Sequence, residues 1–423
     1  MFNPASGGIK AQRFKGEKER EWKKMNKLTI DDLKLKDKRI LVRVDFNVPL
    51  DEKKEVADDT RIVESLPTIK KILNDGGKAI LMSHLGRPKG KVNPDLSLAP
   101  VAKRLEKLLR WPVKFVDDCI GDKVEKAVSE LKNSECLLLE NLRFYPEEEK
   151  NDPEFAKSLA KLGEVYINDA FGTAHRAHAS TEGVTKYFKE CAAGYLMQKE
   201  LKYLGMALLE PKRPFVAILG GAKISGKIDV IKNLMDKVDT LLIGGGMAFT
   251  FYKALGKEIG SSLLEEDKMG LAREIWKKAE EKKLDFLLPV DFIIAPEARE
   301  DVSAKVVDKD SIPEGWKGLD IGPKTVELFK DKLSNAKTVV WNGPMGVFEI
   351  PKFSKGTTEI ARRLAQITER GAVTIVGGGD SVAALAKVNL EKKMSHVSTG
   401  GGASLEFLEG RTLPGIAALT DKK

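Results

Sequence analysis

The chain has 423 residues, of which 42% are hydrophobic and 32% charged, so it can bury large cores and is not disordered as a whole. This length predicts two or three domains at roughly 150 residues each, and no apolar run reaches the ~20 residues of a membrane span. The net charge of +9 is modest and dispersed, which argues against a nucleic-acid partner. Three widely separated cysteines exclude a disulfide framework and a four-cysteine zinc site, and they favour a reducing, cytoplasmic location.

Residues 1–25 have the pattern of an N-terminal extension that is not part of the fold. Glycines and a proline interrupt the segment, and a mixed-charge run follows at residues 15–24. The segment lacks the apolar stretch of a secretory signal, and its glutamates argue against a transit peptide. We therefore expect the fold to begin near residue 26.

One pattern repeats along the rest of the chain: a short apolar run, a turn, and a longer amphipathic segment. This alternation is typical of parallel sheets with helices on both faces. We predict two similar-sized α/β lobes, each built on a mainly parallel sheet and joined by a helix. The predicted strands lie at residues 40–44, 79–82, 113–116, 137–139, 165–167, 215–219, 240–243, 286–289, 338–341 and 373–376, and the clearest helices at residues 61–75, 98–110, 265–283 and 355–369.

A domain boundary is indicated near the middle of the chain. Residues 195–209 have a helical pattern, and Pro211 and Pro214 then end the helix and restart an extended run. We expect residues 26–200 to form the first domain. Residues 201–410, including the connecting helix, are expected to form the second.

Basic side chains follow the predicted strands of the first half or begin its first helix. The set comprises Arg61, His84, Arg87, Arg143 and Arg176. Ligands of such sheets bind beyond the carboxyl ends of strands, and arginine forks match the oxygens of carboxylates and phosphates. Asp45 and Asn47 can accept hydrogen bonds from hydroxyls. The pattern predicts a pocket for a small polyanion that carries an alcohol.

Two other interpretations of the histidines are weaker. His175 and His178 have the spacing of a metal pair, but no Cys, Asp or Glu is placed to complete the shell. His84 is better explained as an anion-binding or orienting residue than as a proton-transfer catalyst.

Glycine follows the predicted strands of the second half. Glycine-rich turns lie at residues 220–227, 244–246, 342–349, 377–381 and 399–404, the last after a short strand near residues 395–398. Glycine lets backbone N–H groups approach a phosphate, and a helix N-terminus adds partial positive charge. Five such turns in one lobe predict a nucleotide-binding surface.

The turn at residues 220–227 does not fit the common phosphate-binding motifs. Residues 221–227 match the first seven positions of the P-loop pattern, but Ile228 lacks the hydroxyl that binds magnesium. No dinucleotide-binding glycine motif follows a strand with the required acidic residue. Lys223 and Lys227, on a helix expected to start near residue 225, are placed to face phosphate oxygens. Asp380 is the best-placed oxygen ligand for Mg²⁺.

Together these segments resemble the phosphoglycerate kinase family over about residues 27–423. The resemblance rests on residues 43–49, 83–88, 139–144, 168–178, 220–223, 341–349, 377–381 and 399–406, which occur in the family's order. Gly226 stands where many relatives carry an acidic residue, and Ser381 stands where others have threonine. Neither departure removes a group that the chemistry needs.

The resemblance implies reversible phosphoryl transfer from 1,3-bisphosphoglycerate to ADP, giving 3-phosphoglycerate and ATP, with Mg²⁺. It implies a triose site at Asp45, Phe46, Asn47, Arg61, His84, Leu85, Gly86, Arg87, Arg143 and Arg176. It implies a nucleotide site at Lys223, Lys227, Gly318, Glu349, Gly378, Gly379, Asp380 and Ser381, with Glu349 on the ribose hydroxyls and Asp380 as the metal ligand. The implied catalytic set is Arg61, Lys223, Lys227, Gly378 and Gly401. Residues 411–423 are implied to pack back on the first domain.

Such a transfer needs positioning and charge neutralisation, and no covalent protein intermediate. Because the two substrates would bind on different lobes, hinge closure is expected to bring them in line and to exclude water.

Two alternatives stay open: an NAD(P)-dependent dehydrogenase of a phosphorylated substrate, and a catalytically inactive nucleotide-binding regulator. The missing dinucleotide motif disfavours the first, and the complete set of arginines and lysines disfavours the second. We expect a monomer without membrane partners.

Overall fold

The computed structural model of the protein describes residues 26–422, so the expectation for residues 1–25 lies outside the described part. The described chain divides into two compact units. The first runs to Gly205 and resumes at Thr412, and the second is Met206–Arg411. The predicted two-lobe α/β fold class is confirmed. No helix within residues 26–422 combines the length and the apolar character needed to cross a membrane.

The first unit is built on a six-stranded parallel sheet with the strand order β3-β4-β2-β1-β5-β6. Its strands are β1 (Arg39–Val44), β2 (Lys78–Met82), β3 (Val113–Phe115), β4 (Cys136–Leu138), β5 (Val165–Asp169) and β6 (Cys191–Ala193). Its helices are α1 (Thr60–Asn74), α2 (Ala99–Leu109), α3 (Asp122–Ser129), α4 (Pro146–Glu149), α5 (Pro153–Ala160) and α6 (Tyr195–Leu209), and the unit boundary after Gly205 falls inside α6.

Strand β1 shows why a continuous apolar run forms the centre of this sheet. Ile40, Leu41, Val42 and Val44 are all fully buried, because helices cover both faces of a parallel sheet. Arg43 is fully buried in the same strand. A charged side chain in such a place needs specific partners.

The second unit contains a parallel sheet with the order β15-β14-β13-β7-β8-β9 and an antiparallel sheet with the order β11-β10-β12. Its strands are β7 (Phe215–Leu219), β8 (Thr240–Ile243), β9 (Asp285–Leu287), β10 (Asp291–Ala295), β11 (Lys305–Asp308), β12 (Lys317–Ile321), β13 (Thr338–Asn342), β14 (Val373–Gly377) and β15 (His396–Val397). Its helices are α7 (Ile228–Leu234), α8 (Met247–Ala254), α9 (Met269–Glu281), α10 (Pro323–Leu333), α11 (Lys355–Glu369), α12 (Gly379–Lys387) and α13 (Gly402–Leu408).

The antiparallel sheet is absent from the sequence-based prediction. Strand β11 is mostly exposed and begins and ends with charged residues, so it has no buried apolar run. Strand β12 begins with an exposed lysine and a glycine. Its ladder with β10 shifts register between Ile293 and Ile294, which is typical of a β-bulge. Strand β12 nevertheless carries Gly318, one of the residues implied in nucleotide binding.

Each parallel sheet has two neighbouring central strands whose following connections run in opposite directions. In the first unit these strands are β1 and β5, and in the second they are β7 and β13. Loops that leave two such strands diverge and open a crevice at the carboxyl edge, where ligands of open α/β sheets bind. In the second unit the two loops stay connected, because the N–H of Gly220 donates to the Asn342 carbonyl at 3.0 Å.

The C-terminal segment, with the short helix α14 (Pro414–Ala417), belongs to the first unit. The N–H of Leu28 donates to the Thr420 carbonyl at 2.8 Å, and the N–H of Gly415 donates to the Ala174 carbonyl at 2.8 Å. Lys27 Nζ donates to Asp421 Oδ1 at 2.7 Å. The apolar side chains buried along this segment are those of Leu413, Ile416 and Leu419.

Leu419→Ala is therefore expected to destabilise the first unit by about 2–4 kcal/mol, because it removes buried methyl groups and leaves a cavity. Scanning calorimetry would show a lower thermal midpoint. Ala417→Ser is the matched control, since Ala417 lies in the same segment with an exposed side chain. Equal midpoints for Leu419→Ala and the parent chain would contradict a packing role for this segment.

Candidate active site

The loops at the carboxyl edge of the first sheet form a region of positive charge. Burial holds the pKa of His84 well below its usual value, and the nearby Arg43, Arg143 and Arg61 act in the same direction. Burial also lowers the pKa of Arg143, with further lowering from Arg43 and Arg176. These effects place Arg61 and Arg143 near His84, and Arg176 near Arg143.

The loops after β1 and β2 are tied together at this edge. Arg61 Nη1 lies 2.8 Å from Asp45 Oδ2 in an ion pair whose carboxylate is buried while the arginine remains partly exposed. Asn47 Oδ1 accepts from the N–H of Gly86 at 2.9 Å, and the N–H of Phe46 donates to Ser83 Oγ at 2.9 Å. The ion pair orients the guanidinium and leaves part of it free for a ligand.

Several arginine donors at this edge have no full set of partners. Arg143 Nη1 donates to the Gly86 carbonyl at 2.8 Å. Its buried Nε forms no hydrogen bond within residues 26–422, but it lies 3.3 Å from Glu149 Oε1 in an ion pair. Arg176 is exposed and its Nε contacts His175 Nε2 at 3.2 Å. Arg87 is exposed, and its side chain forms no hydrogen bond or ion pair with the described residues. Unsatisfied guanidinium donors around a buried histidine suit a polyanion.

The glycine-rich turns of the second unit line two adjoining cavities. The larger has a volume of about 650 Å³, and its walls include Phe249, Phe292 and Glu349. The smaller has a volume of about 310 Å³ and is lined by glycine backbones with Lys223, Lys227 and Asn342. Asp380, Gly221 and Ala222 line both cavities. The larger, apolar cavity suits the base of a nucleotide, and the smaller, glycine-walled cavity suits its phosphates.

Gly318 lies on β12 at the wall of the larger cavity. A Cβ atom at this position would lie 2.1 Å from Phe249 Cζ, so no larger residue fits without displacing the ring. The N–H of Gly318 donates to Ser262 Oγ at 2.9 Å, which fixes the strand against the cavity. The rings of Phe249 and Phe292 are 4.7 Å apart between centroids and form the apolar side.

The two lysines lie in the smaller cavity, but the expectation that they share a helix is wrong. Helix α7 begins at Ile228, and Lys227 is the residue before it. The N–H of Lys227 donates to the Ile224 carbonyl at 2.8 Å, so the preceding residues form a turn. Lys227 Nζ donates to Asn342 Oδ1, and burial lowers the pKa of Lys227 to about 8. Lys223 is exposed.

Asp380 lies in the first turn of α12, which follows Gly378 in a left-handed conformation with φ of 88°. Its side chain forms no hydrogen bond or ion pair with residues 26–422, whereas the neighbouring Ser381 Oγ accepts from the N–H of Gly343 at 2.6 Å. Gly379, next to Asp380, is exposed. Gly401, with φ of 53°, precedes α13 and lines the smaller cavity.

The side chains around Asp380 can be compared with those that hold Mg²⁺ in proteins. No group of three or more His, Cys, Asp or Glu within residues 26–422 could hold a metal without other ligands. Mg²⁺ is commonly bound through one or two carboxylates together with substrate phosphates and water. The unpaired Asp380 carboxylate, facing both cavities, fits a metal held jointly by protein and nucleotide.

Some site residues could not be assigned from sequence. Phe249 and Phe292 gave no signal beyond apolar helix and strand patterns. Asn342 lies in a glycine-rich turn that the sequence analysis identified, but no role was assigned to it. Its amide at a strand end, next to Gly343 and Pro344, could have indicated a binding residue. Arg43 stood in the first motif, where its burial could not be foreseen.

A polyanion site on one α/β unit and nucleotide-sized cavities on the other define a small-molecule kinase. The family model described as phosphoglycerate kinase matches residues 30–411. Phosphoglycerate kinases of Chlorobium limicola and Chloroherpeton thalassium are each 60% identical over 397 residues, which cover 94% of this chain and 100% of theirs.

Solved structures give the same result. The phosphoglycerate kinase of Coxiella burnetii has a TM-score of 0.85 and 44% identity, and that of Pyrococcus horikoshii has 0.80 and 32%. Each match covers 93% of this chain and 98% of the other. The chain belongs to the phosphoglycerate kinase family. The predicted enzyme class and reaction are confirmed, and the dehydrogenase and inactive-regulator alternatives are not favoured.

Proposed function

We propose that the first unit binds 3-phosphoglycerate or 1,3-bisphosphoglycerate and that the second binds ADP or ATP. The observation that carries this division is the pair of adjoining cavities in the second unit, which share Asp380. The apolar cavity, whose walls include Phe249 and Gly318, accepts the base, and Glu349 accepts from the ribose hydroxyls. The glycine-walled cavity with Lys223 and Lys227 holds the phosphates.

The triose site of this proposal consists of the basic side chains at the first sheet. Its residues are Asp45, Phe46, Asn47, Arg61, His84, Leu85, Gly86, Arg87, Arg143 and Arg176. Arg143 and the exposed Arg87 and Arg176 supply donors to the carboxylate and phosphate, while Asp45 and Asn47 select the hydroxyl. Phe46 and Leu85 are buried and support these loops.

The transferring phosphoryl group gains negative charge that must be balanced by fixed donors. In this proposal Arg61, Lys223 and Lys227 supply cationic donors, and Gly378 and Gly401 supply backbone N–H groups before their helices. Asp380 holds Mg²⁺, which neutralises charge on the nucleotide phosphates. The acyl phosphate has a good leaving group, so no strong general base is needed. Closure of the two units, a cytoplasmic location and a monomeric state complete the proposal.

The test measures ATP formation from 1,3-bisphosphoglycerate and ADP in a coupled assay, and the reverse reaction for KM values. Arg143→Lys keeps the charge but loses the planar fork, so KM for 3-phosphoglycerate should rise about tenfold while KM for ATP stays nearly constant. Arg299→Lys is the control, because Arg299 is exposed on the second unit and paired with Asp301. An unchanged KM for 3-phosphoglycerate would remove Arg143 from the triose site.

A further inference from the structure

A hydrogen-bonded chain of buried polar side chains lies behind the triose site. Ser180 Oγ and Glu148 Oε1 are 2.5 Å apart, and the N–H of Ser180 donates to Glu148 Oε2 at 2.9 Å. Arg43 Nε donates to Ser180 Oγ at 2.8 Å, and Arg43 Nη2 lies 3.1 Å from His84 Nδ1. Glu148, Ser180 and Arg43 are fully buried and His84 is 3% exposed.

The hydrogen bonds that connect Glu148, Ser180, Arg43 and His84 can be arranged in only one direction. A guanidinium has donors and no acceptor, so His84 Nδ1 must accept from Arg43 and the ring proton must lie on Nε2. Ser180 Oγ accepts from Arg43 Nε–H and therefore directs its own proton to Glu148. Both oxygens of Glu148 face donors, which suits the ionised carboxylate. His84 Nε2 forms no hydrogen bond within residues 26–422 and remains a donor for a ligand.

Buried Arg43 needs a compensating charge, because an isolated guanidinium in a protein interior is strongly destabilised. Glu148 lies on the other side of the Ser180 hydroxyl and supplies this charge. Burial raises the pKa of Glu148 above its usual value, and Arg43 opposes that rise. Asp45 Oδ1 lies 4.0 Å from His84 Nδ1, which is too far for a hydrogen bond. Arg43, and not Asp45, therefore sets the proton position on His84.

We propose that Glu148 is a positioning residue for the triose site, acting through Ser180 and Arg43 to fix His84 as the neutral tautomer with its proton on Nε2. His84 then gives the substrate a directed hydrogen bond and adds no charge to it. This inference deepens the proposed function and rests on it for the identity of the ligand. The charged and titratable groups that face His84 are Arg43, Asp45, Arg61, Arg143 and His178.

The first experiment is NMR of the ligand-free parent enzyme labelled with ¹⁵N-histidine. The chain has four histidines, so each signal can be assigned, and His84→Gln identifies that of His84 by its loss. We expect a neutral ring with Nδ1 unprotonated and Nε2 protonated across the neutral pH range. A proton on Nδ1, or a His84 signal that titrates near the ordinary histidine value of about 6.5, would overturn the inference.

The second experiment compares Glu148→Gln with Glu147→Gln, which removes the same charge from the neighbouring residue of α4. An amide at residue 148 places an NH₂ group against a donor of Ser180, so the chain is broken. We expect KM for 3-phosphoglycerate to rise about tenfold in Glu148→Gln only, with KM for ATP nearly constant. The His84 signals should show mixed tautomers in this variant and the parent pattern in Glu147→Gln.

Ser180→Ala gives an independent break of the same chain while keeping the carboxylate, and it should shift the same two readouts. A Glu148→Gln enzyme with lower thermal stability but parental KM values and an unchanged His84 signal would show a purely structural role and overturn the inference. Failure of the proposed function is distinguishable. If the proposed function were wrong, Arg143→Lys would leave KM for 3-phosphoglycerate unchanged. The His84 tautomer in the ligand-free enzyme would still show whether the hydrogen bonds from Glu148 to His84 exist.

Discussion

Asp380→Asn is expected to lower kcat by about 100-fold or more, while ADP binding measured without magnesium stays nearly constant. The carboxylate lines both cavities of the second unit and forms no hydrogen bond or ion pair within residues 26–422, so its charge is available to a cation bound to the phosphates. The amide has the same shape and removes only the charge. The apparent magnesium affinity should fall together with kcat, and this is measured by titrating Mg²⁺ at saturating nucleotide.

A structural explanation of Asp380 makes a different prediction. If the side chain only capped α12, asparagine would replace it well, since both residues are good caps. The residue at the cap position is Gly378, and no side chain caps this helix. Asp122→Asn is the matched control, because Asp122 also lies in the first turn of a helix, α3, with an exposed side chain. A kcat of Asp380→Asn within about threefold of the parent would contradict the metal role, given the ~10²-fold cost of losing such a contact.

The parallel strands and the side chains that follow them could be read from sequence, because both depend on local order. The run at residues 215–219 coincides with β7, and the residues after it line the smaller cavity. In a parallel sheet every strand ends at the same edge, so residues that follow different strands are expected to lie near one another. The grouping of His84 with Arg143 and Arg176 follows from this rule, whereas Arg61 lies at the start of α1.

The features that sequence analysis missed depend on contacts between distant segments. Strand β11 is exposed and charged, so its pairing with β10 is visible only in three dimensions. Glu148 lies in a run of three glutamates that has the pattern of a solvated surface, yet it is fully buried against Ser180. The start of α7 was placed too early because Lys223 and Lys227 have helical spacing, whereas the turn before Ile228 delays the helix.

Lys227→Met is expected to lower kcat/KM for ADP by about 100-fold, because it removes a cationic donor from the phosphate cavity. The position of the ammonium is specific: Nζ donates to Asn342 Oδ1, and the cavity walls shield it from water. Lys232→Met is the matched control, since Lys232 lies on α7 with an exposed side chain outside both cavities. That variant should retain parental kinetics.

The pH dependence of ADP binding gives a second readout for Lys227. Burial lowers its pKa to about 8, while the nearby Asp380 and Glu409 carboxylates oppose this shift. The ammonium is therefore charged below about pH 8 and neutral above it in the free enzyme. Bound phosphate favours the charged form, so the affinity for ADP should be complete below pH 8 and should fall as the pH rises through that value. Calorimetric titrations without magnesium, from about pH 7 to about pH 9.5, measure this fall around the lowered pKa.

Two substitutions separate the charge of Lys227 from its geometry. Lys227→Met should bind ADP weakly with no fall of affinity near pH 8, because no group titrates at this position. Lys227→Arg stays charged over the whole range and should also lose the pH dependence, while keeping part of the affinity. A parental fall of affinity near pH 8 in either variant would assign the titration to another group and would contradict the proposed contact between Lys227 and the phosphates.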